Sequence, residues 1–315
     1  MKFLITILLT LATISAQAQG KTWTFGLIGD VPYSDRERAE LPKLLAAMAA
    51  QDVDLIAHIG DLKSSKQRCD DALFLDRFDL FNAVPSPFIF VPGDNEWLDC
   101  NRASGGNYDP QERLAALRHL FFAEPRSLGQ KTIPFRRQKG DYVEHTRFRL
   151  GPVLFITLNV PGNNNNNGPW RKFTPEFMAR NPLVLEWMRD SFKQARRAKF
   201  RGVVVLMQGN PHFDHYARGM PYGGYRALLD ALREETQRFP GEVVLVHGDT
   251  HRNRIDKPLY DRLGGKLENF TRVETFGYPN MGWTQGIIDP AHPKLFRFEP
   301  HPWPGKGTMR PSPNQ

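Results

Sequence analysis

Trp23-Thr24-Phe25-Gly26-Leu27-Ile28-Gly29-Asp30 is a short apolar run that stops on a glycine and an aspartate. The same ending follows Asp54–Ile59 at Gly60-Asp61, Phe88–Val91 at Gly93-Asp94 and Val243–Val246 at Gly248-Asp249. Runs this short, rich in β-branched and aromatic residues, read as buried strands, and Val203–Met207 is a fifth. Arg36–Ala50, Asp70–Asn82, Pro110–Phe122, Pro175–Lys199 and Tyr222–Phe239 lie between or beside them with apolar residues at helical spacing. Asp109-Pro110 and Thr174-Pro175 are helix starts, a capping side chain followed by proline in the first turn.

A second rhythm occupies Tyr142–Leu150 and Val153–Leu158, which flank Gly151-Pro152 as a hairpin would. Phe270 to Phe298 is again strand-like, punctuated by Gly277, Pro279, Gly282 and Asp289-Pro290. Alternating strands and helices with antiparallel additions predict an α/β fold, two sheets packed together with helices outside. With no internal repeat and no linker, residues 19–315 read as one domain. The run Asn163–Asn167, followed by Gly168-Pro169, reads as a flexible connection by its low complexity.

Composition excludes several classes. Of 315 residues, 40% are hydrophobic and 24% charged, which is globular and not disordered or collagen-like. Positive charge exceeds negative, 42 Lys+Arg against 34 Asp+Glu, but the surplus is spread thinly and not interleaved with aromatics. That argues against nucleic acid as a partner and permits an anionic substrate. After the N-terminus no apolar stretch is long enough to cross a membrane.

At the N-terminus, Lys2 precedes the apolar run Phe3 to Ala12, and Ala16-Gln17-Ala18 has the small-x-small form of a cleavage site. Residues 1–18 therefore read as a secretory signal peptide, and the protein as periplasmic or secreted. In an oxidising compartment the two cysteines, Cys69 and Cys100, are expected to pair, since each follows shortly after a Gly-Asp strand ending and both should sit on one rim.

In open α/β sheets the functional crevice lies outside the carboxyl ends of the strands. Glycine there permits a sharp turn, and the next residue is presented at the rim. Asp30, Asp61, Asp94 and Asp249 brought to one rim would repel one another unless something positive sat among them, and one or two metal ions would meet that need. Asn95 and Glu96 follow Asp94, and His247 and His251 bracket Asp249, adding further donors. Oxygen donors with an imidazole suit Mn, Fe, Zn or Mg, and the lack of nearby thiolates argues against a soft-ligand site.

These motifs resemble those of the calcineurin-like metallophosphoesterases, whose pattern runs D-x-H, G-D-x-x, G-N-H-[DE], a His after a strand, and G-H-x-H. The matching stretches are Gly29-Asp30-Val31-Pro32, Gly60-Asp61-Leu62-Lys63, Gly93-Asp94-Asn95-Glu96, Met207-Gln208-Gly209-Asn210-Pro211 and Gly248-Asp249-Thr250-His251. The resemblance implies a four-layer α/β/β/α sandwich of two mixed sheets. It also implies hydrolysis of a small phosphoester by water activated at a dinuclear centre, with Asp61 bridging the ions.

The chain departs from that pattern at several positions. Pro32 stands where the family has a ligand His and cannot ligate. Asp94 replaces a ligand Asn, and Asn95 the His that assists the leaving group. Gln208, or less well Asn210, takes the place of another His; Asp249 replaces the first His of the last motif while His251 keeps the second. By carry-over, one ion would have Asp30, Asp61 and His251, and the other Asp61, Asp94, Gln208 and Asp249. The first set is short of a ligand, so the centre is dinuclear or mononuclear, and its oxygen-rich donors favour Mn, Fe, Mg or Ca over Zn. Asn95 could hydrogen-bond the phosphoryl group, leaving His247 or His212 as the acid. Arg102 and Arg252, each close behind a motif loop, are candidate phosphate clamps. The alternative is a non-catalytic descendant that binds metal or a phosphorylated ligand. His58, inside a strand, reads as a buried structural histidine.

Overall fold

The structure, a computed structural model, describes residues 20–168, 173–220 and 223–304. The expected signal peptide, 1–18, and Pro169 of the Asn-rich loop lie outside the described residues.

Among the described residues, five strands form the first sheet: β1 (Trp23–Ile28), β2 (Leu55–His58), β3 (Phe88–Phe90), β11 (Gly282–Ile288) and β12 (Phe296–Pro302), in the order β12-β11-β1-β2-β3. The second has seven: β4 (Arg136–Arg137), β5 (Thr146–Leu150), β6 (Val153–Thr157), β7 (Gly202–Leu206), β8 (Glu242–His247), β9 (Arg252–Asp256) and β10 (Phe270–Phe276), in the order β4-β5-β6-β7-β8-β10-β9. Strands β1, β2 and β3 run parallel, as do β6, β7, β8 and β10, and antiparallel strands complete each sheet. The expected hairpin is the antiparallel pair β5–β6, in register from Arg147 opposite Ile156 to Leu150 opposite Val153.

The helices are α1 (Asp35–Ala49), α2 (Asp71–Asn82), α3 (Pro110–Phe121), α4 (Gly162–Asn165), α5 (Pro175–Arg197), α6 (Phe213–Ala217) and α7 (Gly223–Arg238). Side chains alternate across a strand, so each sheet has an inner and an outer face. Phe25, Leu27, Ala57 and Val91 of one sheet meet Phe155, Val204, Leu206 and Val246 of the other in a shared core. Outside the first sheet, Ile28 and Ile56 pack under Leu41, Leu45 and Phe81 of α1 and α2. Outside the second, Ile156 and Val205 pack under Val184, Met188 and Leu228 of α5 and α7. The result is the expected α/β/β/α sandwich. The buried inner strands read as continuous apolar runs because both faces are covered.

The expected disulfide is formed: Cys69 and Cys100 have Cα atoms 5.7 Å apart and lie 31 positions apart. Both sulfurs lie beside the carbonyl of Asn95, so the bridge ties the segment before α2 to the loop after β3. Closing a loop of this length stabilises by about 3–4 kcal/mol on the chain-entropy account. The Cys69→Ala/Cys100→Ala variant should lose about that much, read as a lower urea midpoint.

Buried histidines inside the layers give the fold an acid limit. His58 is wholly buried, bonded through Nε2 to the Val31 carbonyl and packed on Phe81 at 5.1 Å, which bears out its structural role. Burial lowers its pKa to about 4, and does the same at His145. The unfolded chain takes up a proton near pH 6.5, whereas the folded one refuses it until about pH 4. Stability from this source is therefore complete above pH 6.5 and is lost as the pH falls toward 4. His58→Phe should shrink the wild-type drop in unfolding free energy between pH 7 and 4.5 by about 2 kcal/mol.

Candidate active site at the carboxyl rim

Parallel strands place their carboxyl ends together, and the chain turns there on residues with unusual backbones. Asp30 after β1, Asp61 after β2, and Asp249 and His251 after β8 have φ of 53°, 58°, 76° and 58°. Left-handed backbone is uncommon outside glycine, Asn and Asp, and its clustering at one rim is typical of functional sites. The neighbouring glycines make room for the carboxylates. A methyl at Gly93 would strike Asp61, and one at Gly248 would strike Asp30. The two sheets meet at the same rim, where a methyl at Gly60 would lie 2.6 Å from the Gln208 side chain.

Asp30, Asp61, Asp94, Asp249, Gln208 and His251 are thus gathered into one site. Asp30 accepts from the Asp249 amide with both oxygens at 3.1 Å, and His251 Nε2 is 3.4 Å from its Oδ1. Asp61 Oδ1 accepts from the Asn95 amide at 3.1 Å. Asp249 Oδ2 accepts from the Asn210 amide at 2.9 Å, and Gln208 Oε1 from the Gly162 amide at 2.5 Å. Glu96 is buried beneath the loop and accepts from the amides of Asp61 and Gly93, so it holds two motif loops together.

Electrostatics follow from this burial. Loss of water raises the Asp30 carboxyl, and pushes Asp61 and Asp94 well above the usual range with further help from neighbouring carboxylates. Asp249 rises to about 6, again first through burial. Burial works against charge on His251, but Asp30 and the Tyr278 carbonyl outweigh it and raise its pKa. Carboxylates so placed call for positive charge, and Lys63, buried nearby, supplies only part of it.

Among the described residues, no three His, Cys, Asp or Glu side chains stand close enough together to hold an ion as they are. The two sides of the site nevertheless differ. Asp94 Oδ1 is buried without any hydrogen-bond partner among the described residues. A methyl built on Gly162 would reach a point 2.5 Å from this oxygen and 2.9 Å from Asp249 Oδ1, so the two oxygens face the same spot. A donorless buried carboxylate oxygen opposite a second carboxylate is a fit for a hard cation. Asp30 and Asp61, in contrast, are already supplied with donors.

Four expectations are corrected here. His247 is wholly buried, bonded through Nδ1 to the Gly248 carbonyl, and burial lowers its pKa to about 4. It is therefore neutral at pH 7 and no general acid. The Asn95 amide is spent, donating to Tyr33 Oη at 2.9 Å and the Lys63 carbonyl at 3.1 Å, so it does not point to substrate. Arg102 is tied to buried Asp99 at 2.6 Å and is no phosphate clamp as placed. The Asn-rich segment is a built part of the site and not a flexible connection. Asn163 to Asn166 all have φ between 51° and 57°, making α4 a left-handed turn that sets Gly162 against Asp94 and Asp249.

The remaining candidates stay at the rim. His212 is half-buried, its amide donating to Asn210 Oδ1 and its ring beside His215 at 5.2 Å and Tyr225 at 6.1 Å. Arg252 is exposed on β9, its amide donating to Glu274.

Sequence reasoning missed Tyr33 and Arg180. Tyr33 Oη donates to Asp61 Oδ2 at 2.7 Å and lies 3.5 Å from Asp30 Oδ1. A readable signal was available: Ser34-x-x-Glu37 is a capping box, and Glu37 reaches back to the Tyr33 amide at 2.7 Å, fixing where the tyrosine points. Arg180 is wholly buried in α5 and donates to Asn165 Oδ1 at 2.7 Å and to the Asn165 and Asn159 carbonyls.

A family model for the calcineurin-like phosphoesterases matches residues 24–253. Among solved structures, a dimetal phosphatase from Danio rerio is similar with a TM-score of 0.54 at 14% identity, over 89% of this chain and 96% of that one. A purple acid phosphatase from seeds of yellow lupin (Lupinus luteus) is similar with a TM-score of 0.50 at 14% identity, over 85% of this chain and 50% of that one. At this identity the likeness is one of fold. No protein of curated function matches the chain in sequence.

Proposed function

Since the chain belongs to the calcineurin-like phosphoesterase family, we propose that it hydrolyses a small phosphoester with the help of a divalent metal. The observation that carries the reading is the buried, donorless Asp94 Oδ1 facing Asp249 at the carboxyl rim. Asp94 and Asp249, with Asp61 beside them, would hold the ion. A bound ion supplies Lewis acidity toward the phosphoryl oxygens and a more acidic water as nucleophile. Gln208 holds the Gly162 amide so that the chain closes over those two carboxylates without a side chain in the way. Asn95 and Glu96 keep Asp61 in place. Proton delivery to the leaving group falls to His212, half-buried beside Asn210, since His251 is engaged by Asp30 and the Tyr278 carbonyl. We also place the protein outside the cytoplasm, a reading that the disulfide supports.

A direct test is turnover of p-nitrophenyl phosphate and its bis-ester with Mn, Mg, Ca or Fe. Turnover with at least one metal, lost in Asp61→Ala, supports the hydrolase. The engaged Asn95 amide favours a second reading, a non-catalytic binder of metal or phosphorylated ligand. That reading gains if metal binds and neither ester turns over.

Gly162→Ala offers a sharper check of the loop. Its methyl would fall between the oxygens of Asp94 and Asp249, so turnover and Mn affinity should each drop by about tenfold, as when groups supporting a metal site are disturbed. Far-ultraviolet circular dichroism should be unchanged.

A further inference from the structure

We propose that this centre binds a single ion, on the Asp94–Asp249 side, and that the Tyr33 hydroxyl takes the position a second ion would need between Asp30 and Asp61. The inference rests on the metal-dependent reading above and departs from the two ions that the family resemblance implies.

Hydrogen-bond accounting separates the two sides. Asp61 has Oδ2 filled by the Tyr33 hydroxyl and Oδ1 by the Asn95 amide. Asp30 has both oxygens on the Asp249 amide, and Oδ1 also faces His251 and the Tyr33 hydroxyl. A buried carboxylate so supplied gains little from an ion that must first displace its donors. Asp94 Oδ1 has no donor at all, although it is buried.

Tyr33 is held where it is from several directions. Its amide is bound by Glu37, its hydroxyl accepts from Asn95, and its ring packs between His251 at 5.4 Å and Tyr278 at 5.8 Å. Pro32 bears on the same point, because the residue that would have supplied imidazole cannot coordinate. The tyrosine beside it instead donates its one hydroxyl proton to Asp61, 3.5 Å from Asp30. A hydroxyl hydrogen bonded to a carboxylate does locally what a cation would do, satisfying a lone pair that water no longer reaches. On this account Asp30 and His251 are structural partners of the rim, and the ion-binding work falls to Asp94 and Asp249, with Asp61 held beside them by its own donors.

The test is the number of Mn ions bound per chain by equilibrium dialysis with elemental analysis, together with the electron paramagnetic resonance spectrum and p-nitrophenyl phosphate turnover in the same samples. Wild type is expected to bind one Mn per chain, with the six-line signal of an isolated ion, and Tyr33→Ala two, with the broadened multiline signal of a coupled pair. Two ions in wild type would overturn the inference and leave the hydrolase standing if turnover is present. One ion in both wild type and Tyr33→Ala would overturn the role given to the tyrosine. No ion and no turnover would overturn this inference and the hydrolase together, whereas one ion without turnover would keep the inference and contradict the hydrolase. If Tyr33→Ala does not fold, Tyr33→Phe keeps the ring packing while removing the hydroxyl. A second ion is expected there too, and its absence would count against the inference.

Discussion

Asp94→Leu should cut phosphoester turnover on the order of 10³-fold while raising the stability of the metal-free protein. The two effects have one cause. Asp94 is buried, one of its oxygens has no donor, and Asp249 faces it. Without metal this is a desolvated charge beside a like charge, an arrangement that costs stability until one of the groups takes up a proton. Leucine has the same branching with neither charge nor a donor oxygen, so it relieves the repulsion and offers an ion nothing to bind. With metal the sign reverses, because a ligand that binds the folded state stabilises by RT ln(1 + [L]/Kd), about 2.7 kcal/mol at a hundredfold excess over Kd. Wild type should therefore gain thermal stability when Mn is added, and Asp94→Leu should gain almost none. Thermal melts with chelator and with Mn, on both proteins, read the two signs in one experiment. A purely structural Asp94 would give the opposite first result, with the variant less stable in chelator.

Arg180→Met is expected to cost about 3–5 kcal/mol in urea unfolding, the largest stability loss foreseen for any substitution considered. The guanidinium is wholly buried and paired with Glu176 at 2.6 Å, and it donates to the Asn159 carbonyl and to both oxygens of Asn165. Removing it strands a partly buried carboxylate and several backbone acceptors at once. Lysine should not rescue it, since a point charge cannot match a fork that reaches acceptors on three residues. Asn165 sits in the left-handed turn that carries Gly162, so the same substitution should also lower turnover. Retention of full activity by a destabilised Arg180→Met would show that the turn does not depend on this anchor.

What could be read from the sequence follows from which signals are local. Strand ends at Gly29-Asp30, Gly60-Asp61, Gly93-Asp94 and Gly248-Asp249 were legible because a buried run, a glycine and an aspartate are adjacent in the chain, and sheet geometry carries the carboxylates to one rim. The Asn163–Asn167 run was misread because low complexity usually means a loop that packs on nothing. The better signal was residue type: Asn is one of the few residues that tolerates left-handed backbone, and here four in succession adopt it. His247 looked like an acid from its place beside Asp249, but β8 points its ring into the interior, and strand alternation alone could not say which side holds water. The Ser34-x-x-Glu37 spacing shows that the turn at Tyr33 is pinned, but the contact with Asp61 spans 28 positions, so that spacing does not name its partner.

The central claim is that a metal ion at this carboxyl rim drives phosphoester hydrolysis. It is tested most directly by assaying p-nitrophenyl phosphate and its bis-ester with protein stripped by chelator, then restored with Mn or Mg. Turnover should vanish on stripping, return with metal and stay absent in Asp94→Leu. Turnover that survives stripping, or none with any metal despite a folded protein, would contradict it.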